Sequence, residues 1–161
     1  GGTPVRTRVG HSFIKETMAQ TGAVFGGEHS GHFYFRDFWR ADSGMLAALH
    51  AIAALGSSPA GTTMSQLLAP FQRYVASGEI NTAVADQAAV TAAVRAAYEP
   101  RPDVRIDTLD GLTVESDAWW FNVRPSNTEP LLRLNVEAAD RPLLTAIRDE
   151  VQAIMTTEAT T

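Results

Sequence analysis

A glycine-flanked loop between two apolar segments carries the first group of side chains that could do chemistry. The run GEHSGH at residues 27–32 places a carboxylate, a hydroxyl and two imidazoles close together in the sequence. Glu28 and Ser30 share a parity, so they face the same side of an extended segment. A carboxylate accepts hydrogen bonds and a hydroxyl both donates and accepts, which suits recognition of neighbouring sugar hydroxyls. His32 adds a group that titrates near neutral pH.

Two other interpretations of this loop stay open. One is a solvated turn between two strands, which is the ordinary role of such a run. The other is a metal site formed by Glu28, His29 and His32. A two-residue gap between histidines in a glycine loop is not a defined zinc pattern. We therefore expect no metal ligands in this chain.

A second loop, RPSNTEP at residues 124–130, has the composition of an anion site. Arg124 offers a planar fork of five donors. Ser126, Asn127 and Thr128 add side-chain donors and consecutive backbone N–H groups, which together form an anion nest. The flanking prolines stiffen both ends and lower the ordering cost of binding. The loop therefore predicts a phosphate site, and its alternative is a capped β-turn.

Composition limits what kind of protein these loops serve. The chain has 161 residues, a formal net charge of −5 and no cysteine. The absence of cysteine excludes disulfides, cysteine-ligated zinc and thiol catalysis. Mild acidity argues against general nucleic-acid binding, and no apolar run reaches the roughly 20 residues that span a bilayer. We expect a cytoplasmic protein with neither nucleic-acid nor membrane partners.

The first 70 residues have the periodicities of short strands and helices. Strands are predicted over 2–9, 23–25 and 33–39, and helices over 13–20, capped by Ser12, and 45–55, capped by Asp42 or Ser43. Loop-forming residues dominate 56–63, and a short helix capped by Ser65 precedes Pro70. The order strand, helix, strand, strand, helix predicts part of an α/β unit over residues 1–70.

A change of composition near residue 70 predicts a second domain over residues 71–161. Its elements are predicted to be a strand over 71–75, a helix over 87–98 capped by Asp86, a hairpin that turns at Asp110-Gly111, strands over 119–123 and 131–136, and a closing helix over 141–155. The predicted fold class is therefore α/β to α+β. A partial α/β domain is followed by a small α+β domain with an antiparallel sheet and packed helices.

The two loops, in this order, resemble those of the α-D-phosphohexomutases. The run at 27–32 resembles their sugar-binding loop, and the run at 124–130 resembles the phosphate-binding loop of their last domain. A third segment, GHSFIK at 10–15, resembles another active-site segment of the family. The resemblance is strongest to the bacterial phosphomannomutase/phosphoglucomutase branch. The related phosphoglucosamine mutases usually carry Ser-Gly-Thr where this chain has Ser-Asn-Thr at 126–128.

The resemblance implies an isomerase that interconverts hexose 6-phosphate and hexose 1-phosphate through a hexose 1,6-bisphosphate. That family has four domains: the first holds a phosphorylated serine, and the second holds Mg²⁺ in the loop Asp-Gly-Asp-Gly-Asp-Arg. Neither motif is present in this sequence. The chain resembles most of the third domain and the whole fourth domain, and its start within a predicted strand suggests truncation. We expect hexose phosphate and the missing N-terminal domains as partners, Mg²⁺ bound outside this chain, and no turnover by the chain alone.

The resemblance also implies roles for individual residues. Glu28 and Ser30 would hold the ring hydroxyls, and the four donors of the second loop, Arg124, Ser126, Asn127 and Thr128, would hold a phosphate. His11 and His32 would transfer a proton or contact a phosphate, and Lys15 would be a basic group of the active site. A free-standing sugar-phosphate binding module and a phosphoglucosamine mutase fragment stay open as alternatives. Mannose and glucose differ at one hydroxyl, and the sequence does not rank them.

Overall fold

The computed structural model describes residues 2–126 and 129–158. The chain folds into two compact units, one ending at Phe71 and the other beginning at Gln72. The predicted domains meet one residue earlier, between residues 70 and 71. None of the helices in the described ranges combines the length and the apolar character needed to cross a bilayer.

The first unit is a small three-stranded antiparallel sheet with helices. Its elements are α1 (His11–Thr21), β1 (Phe25–Gly27), β2 (Phe33–Phe35), β3 (Ala41–Asp42), α2 (Gly44–Gly56) and α3 (Met64–Leu68), followed by a 3-10 turn at Ala69–Phe71. The strand order is β1-β2-β3, and Tyr34 on the central strand faces Gly26 on one side and Asp42 on the other. The sheet therefore holds Tyr34 at its centre.

The core of this unit is small and brings α1 against the sheet. Ile14, Met18 and Tyr34 are buried together. A Cβ at Gly26 would lie 3.1 Å from atoms of both Ile14 and Met18. Because glycine lacks that atom, β1 can approach the helix closely. This packing places the first turn of α1 next to the strand that follows the GEHSGH loop.

Several predicted boundaries in this unit are wrong. Residues 2–8 have no regular secondary structure. Helix α1 begins at His11 after Gly10, so Ser12 lies within the helix and is not its cap. The aromatic strand ends at Phe35, because residues 36–40 form turns and both Trp39 and Arg40 have left-handed backbone conformations. Alternation of aromatic residues does not reveal such a turn.

The second unit is a six-stranded antiparallel sheet covered by two helices. Its elements are β4 (Val75–Ala76), β5 (Ile80–Ala83), α4 (Gln87–Tyr98), β6 (Arg105–Asp107), β7 (Leu112–Glu115), β8 (Trp119–Pro125), β9 (Leu131–Ala138) and α5 (Arg141–Glu158). The strand order is β4-β9-β8-β7-β6, and β5 also pairs with β9. The predicted class, an α+β domain with an antiparallel sheet and packed helices, is confirmed.

Alternation along β8 and β9 gives this sheet a buried face and a polar face. Buried positions on β9 are occupied by apolar residues from Leu132 to Ala138, and they pack against α4 and α5. Arg124 and Arg133 lie opposite each other at the intervening positions. Asp86 caps α4 as predicted, since its carboxylate accepts hydrogen bonds from the N–H groups of Ala88 and Ala89 at 2.9 Å. The strand predicted over 71–75 is wrong, because only Val75 of it is paired, and β5 was not predicted.

Candidate functional site

The GEHSGH loop is a tight connection between β1 and β2. The N–H of Glu28 donates to the carbonyl of His32 at 2.9 Å, and the N–H of Gly31 donates to the carbonyl of Glu28 at 3.0 Å. Gly31 has a φ of +86°, which an L residue adopts only with strain. These two backbone bonds fix the direction in which the loop side chains leave the sheet.

The Glu28 carboxylate is held by two hydroxyl groups. The Tyr34 hydroxyl donates to Oε1, and the Ser30 hydroxyl lies 3.5 Å from Oε2. Tyr34 is fully buried, and burial followed by the hydrogen bond to Glu28 raises the pKa of its hydroxyl. The neutral phenol therefore remains a donor over the physiological pH range, and it orients the carboxylate. The structure brings Glu28 and Ser30 together, as their shared parity predicts.

Tyr34 is a residue of this site that the sequence analysis missed. It lies in a run of three aromatic residues, Phe33 to Phe35, and such a run indicates hydrophobic packing and not a binding site. Its position two residues after His32 on β2 was a signal, because i and i+2 residues of a strand share a face. The identification also needs the register that pairs Tyr34 with Gly26, next to the loop.

His32 is bound to the carboxylate of Asp42. The distance from His32 Nδ1 to Asp42 Oδ2 is 2.7 Å, and Asp42 Oδ1 accepts the N–H of Phe33 at 2.8 Å. The hydrogen bond to Asp42 raises the pKa of His32, and the bond from His32 lowers the pKa of Asp42. Because Nδ1 faces the carboxylate, Nε2 is the nitrogen left for other partners. Ser43 caps α2, so Asp42 serves the histidine and not the helix.

His11 also contacts the rings of this site, whereas Lys15, the other basic residue predicted on α1, lies apart from them. The His11 ring centroid lies 4.7 Å from that of His32 and 5.4 Å from that of Tyr34, both edge to face. Lys15 is exposed one turn further along α1. The structure therefore brings His11 into contact with the rings of His32 and Tyr34, while the Tyr34 hydroxyl binds Glu28.

The same group contains donor atoms that are close enough to be considered for a metal ion. One nitrogen each from His11 and His32 and one Asp42 oxygen lie within 4.8 Å of one another. Donors on a tetrahedral Zn²⁺ lie about 3.3 Å apart. Both oxygens of Asp42 already accept hydrogen bonds, one from Nδ1 of His32 and one from the N–H of Phe33, so we assign the contact between His32 and Asp42 as a charge-assisted pair.

Replacing Asp42 with asparagine should lower the pKa of His32, because the imidazolium loses its anionic partner. The folded-state pKa is raised, so the pair's stabilisation is present below the unfolded value of about 6.5 and is lost as pH rises through the folded value. An NMR titration of the His32 ring checks this. Asp37→Asn, which removes an exposed carboxylate in the same unit, is the control. An unchanged His32 midpoint in Asp42→Asn would contradict the assignment.

The predicted phosphate loop lies between β8 and β9 of the second unit. Arg124 is near the end of β8, and its Nε lies 3.9 Å from Oδ2 of Asp110. Ser126 is buried, and its N–H donates to the carbonyl of Leu131 at 2.9 Å. This bond closes the neck of the loop. Asn127 and Thr128, the two other predicted phosphate ligands, lie outside the described residues.

A second arginine beside this loop was missed by the sequence analysis. Arg133 lies directly across from Arg124 in the β8–β9 pairing, and its Nη1 lies 3.5 Å from Oε1 of Glu79. Its Nε is buried without a hydrogen-bond partner. Like charges directly opposite on a sheet destabilise it unless anions compensate. Asp110 and Glu79 supply one carboxylate to each guanidinium.

Comparisons with known proteins place both units. The family described as "Phosphoglucomutase/phosphomannomutase, alpha/beta/alpha domain III" matches residues 1–74, and the family's C-terminal domain matches residues 79–154. Two successive domains of one enzyme family thus cover nearly the whole chain. The chain belongs to the phosphoglucomutase/phosphomannomutase family.

Individual relatives agree with this assignment. A phosphomannomutase of Escherichia coli is 45% identical over 157 residues, which are 96% of this chain and 34% of that protein. A phosphomannomutase of Methanocaldococcus jannaschii is 37% identical over 155 residues, covering 96% of this chain and 33% of that protein. A crystal structure of a phosphoglucomutase/phosphomannomutase family protein from Burkholderia thailandensis superposes with a TM-score of 0.79 at 28% identity, over 98% of this chain and 33% of that one. This chain therefore spans about a third of the length of these relatives.

Proposed function

We propose that this chain is the sugar- and phosphate-binding part of a phosphomannomutase/phosphoglucomutase that interconverts hexose 6-phosphate and hexose 1-phosphate. The observation that carries the proposal is the Glu28 carboxylate, which the Tyr34 and Ser30 hydroxyls hold in place within the glycine-flanked loop. An oriented acceptor beside a hydroxyl suits two neighbouring sugar hydroxyls. Family membership supports the class of reaction.

The two units would contribute different contacts to the substrate. In the first unit, Glu28 and Ser30 bind ring hydroxyls, while His32, kept cationic by Asp42 to a higher pH, contacts a phosphate or transfers a proton. In the second unit, the phosphate that is not reacting is bound by Arg124 and by the donors of Ser126, Asn127 and Thr128. Binding energy from such remote groups positions the reacting end of a substrate.

The chain alone is proposed to bind without turning over. The phosphorylated serine and the Asp-rich Mg²⁺ loop that the family resemblance implies are absent from this sequence. Residues of the chain therefore hold the substrate, and the phosphoryl transfer and the metal ion belong to other domains of the parent enzyme. No step is assigned to Mg²⁺ at residues of this chain.

An NMR titration of the isotope-labelled chain tests the proposal. Glucose 1-phosphate should shift the amides of residues 28–32 and those of Ser126 and Glu129. Inorganic phosphate should shift mainly the second set and, within the first set, His32 at most. Free glucose, which lacks a phosphate, should act only on the first set and weakly. A parallel titration with mannose 1-phosphate compares the affinities of the chain for the two hexose phosphates. Glucose 1-phosphate shifts at neither loop would refute the proposed function.

Tyr34→Phe should weaken the binding that residues 28–32 report. The change removes only the hydroxyl that donates to Glu28, and a hydrogen bond to a charged group contributes about 1.5–3 kcal/mol. We therefore expect the dissociation constant for glucose 1-phosphate at this loop to rise about tenfold or more. Tyr74→Phe, which alters an exposed tyrosine, is the control. Equal affinities in the two variants would show that Tyr34 does not orient Glu28 for binding.

A further inference from the structure

The side chain of Gln87 connects helix α4 to the loop between β8 and β9. Its Nε2 lies 2.9 Å from the carbonyl oxygen of Leu131, 3.2 Å from that of Glu129 and 3.5 Å from that of Ser126. These carbonyls come from both sides of the loop. Three acceptors around one atom also identify that atom as the amide nitrogen, since an amide oxygen there would be repelled.

Gln87 is itself held in place at the start of its helix. It is the first residue of α4, directly after the Asp86 cap, and its carbonyl accepts the Thr91 hydroxyl at 2.7 Å. Nearby, the N–H of Val84 donates to the carbonyl of Pro130 at 3.1 Å. The segment that enters α4 therefore bonds to the loop through both backbone and side chain.

We propose that Gln87 is a positioning residue that holds the backbone of Ser126, Glu129 and Leu131, beside the predicted phosphate site, in place before the phosphate arrives. The inference rests on the proposed function, because it takes the loop after Arg124 as the phosphate site. A loop whose carbonyls are already bound loses less conformational freedom on binding, so its affinity for the ligand is higher. Gln87 touches no phosphate in this role, and it acts through the backbone of Ser126, Glu129 and Leu131.

The sequence signal for this role is hidden. A glutamine directly after a helix cap is an ordinary helix-forming residue. The loop carbonyls that it binds are 39 to 44 residues further along the chain. Only the packing of α4 beside the ends of β8 and β9 brings them together.

The test compares Gln87→Leu with the unaltered chain, using inorganic phosphate as the ligand. Leucine keeps the volume but removes both N–H donors, so we expect phosphate affinity to fall about fivefold. Gln87→Asn keeps the amide but is one methylene too short, so its phosphate affinity should also be lower. It replaces Gln87→Leu in the test if the leucine variant fails to fold. Gln152→Leu on α5 is the matched control and should bind as the unaltered chain does.

Hydrogen exchange of the Ser126 amide gives a second readout. That N–H bonds to the Leu131 carbonyl, which Gln87 also binds, so its exchange should be faster in Gln87→Leu and unchanged in Gln152→Leu. Addition of phosphate should restore part of its protection. A merely structural role would lower the melting temperature without changing phosphate affinity at temperatures where the chain is folded.

The outcomes separate the two proposals. If the unaltered chain binds phosphate and both Gln87 variants bind equally well, the role of Gln87 is refuted while the phosphate site stands. If the unaltered chain binds no phosphate, the proposed function fails at this loop. In that case faster Ser126 exchange in Gln87→Leu supports the ordering role, and unchanged exchange overturns it.

Discussion

Replacing Arg124 with alanine is expected to lower the affinity of the chain for inorganic phosphate and for glucose 1-phosphate at the second loop by about tenfold or more. Arg124 is the cationic residue of the predicted phosphate loop, and its side chain is 22% exposed. A charge-assisted bidentate contact contributes about 1.5–3 kcal/mol, and partial burial weakens screening by water. NMR titration of the Ser126 and Glu129 amides measures the change.

Two further variants separate a specific contact from a general charge effect. Arg124→Lys keeps the charge but loses the planar fork, so it should recover only part of the affinity. Arg95→Ala on α4 removes the same charge from an exposed ion pair and should leave binding unchanged. A loss in Arg95→Ala as large as in Arg124→Ala would show that the chain attracts phosphate only through its general charge.

The sequence predicted the second unit better than the first, and the reason is local. Helix α4, with Asp86 as its cap, and the hairpin around Asp110-Gly111 are specified by residues within a few positions of each other. Strand β5 (Ile80–Ala83) was missed because it is short and because its pairing with β9 lies about 50 residues away in the sequence. A four-residue segment with two small residues has no clear period of its own.

The first unit illustrates what periodicity cannot detect. The predicted strand over 33–39 is rich in aromatic residues, but the chain turns after Phe35, and two residues of the turn, Trp39 and Arg40, have left-handed conformations. That turn returns Asp42 to β2, where it pairs with His32. The sequence pattern indicated only a helix-capping role for Asp42, because its contact with His32 depends on the turn.

The candidate site of each unit was predictable as a loop, but the residues that support the loop were not. Glu28, Ser30, His32 and Arg124 were recognisable because polar side chains between glycines or prolines are typical of binding loops. Their supporting residues Tyr34, Asp42 and Gln87 are common residue types within regular elements or at their ends. Their roles follow from register and helix packing, which no local pattern contains.

Gly111→Ala is expected to destabilise the second unit by about 2–5 kcal/mol. Gly111 has a φ of +73°, and a Cβ there would lie 2.5 Å from the carbonyl oxygen of Val123 and 3.0 Å from Cα of Arg124. The left-handed conformation costs an L residue about 1–2 kcal/mol, and overpacking against backbone costs about 1–3 kcal/mol more. Urea unfolding measures the sum through the shift of the midpoint at an unchanged slope.

Gly78→Ala is the matched control, because it shares the backbone conformation without the collision. Gly78 has a φ of +71°, and nothing lies within 4 Å of the position of its Cβ. It should cost only the conformational term, about 1–2 kcal/mol. The excess in Gly111→Ala must be relieved by moving β8 at Val123 and Arg124, so phosphate affinity should fall in that variant and not in Gly78→Ala. Equal destabilisation by the two substitutions would mean that β8 can shift at no cost in free energy. The hairpin at Gly111 would then not determine the position of Arg124.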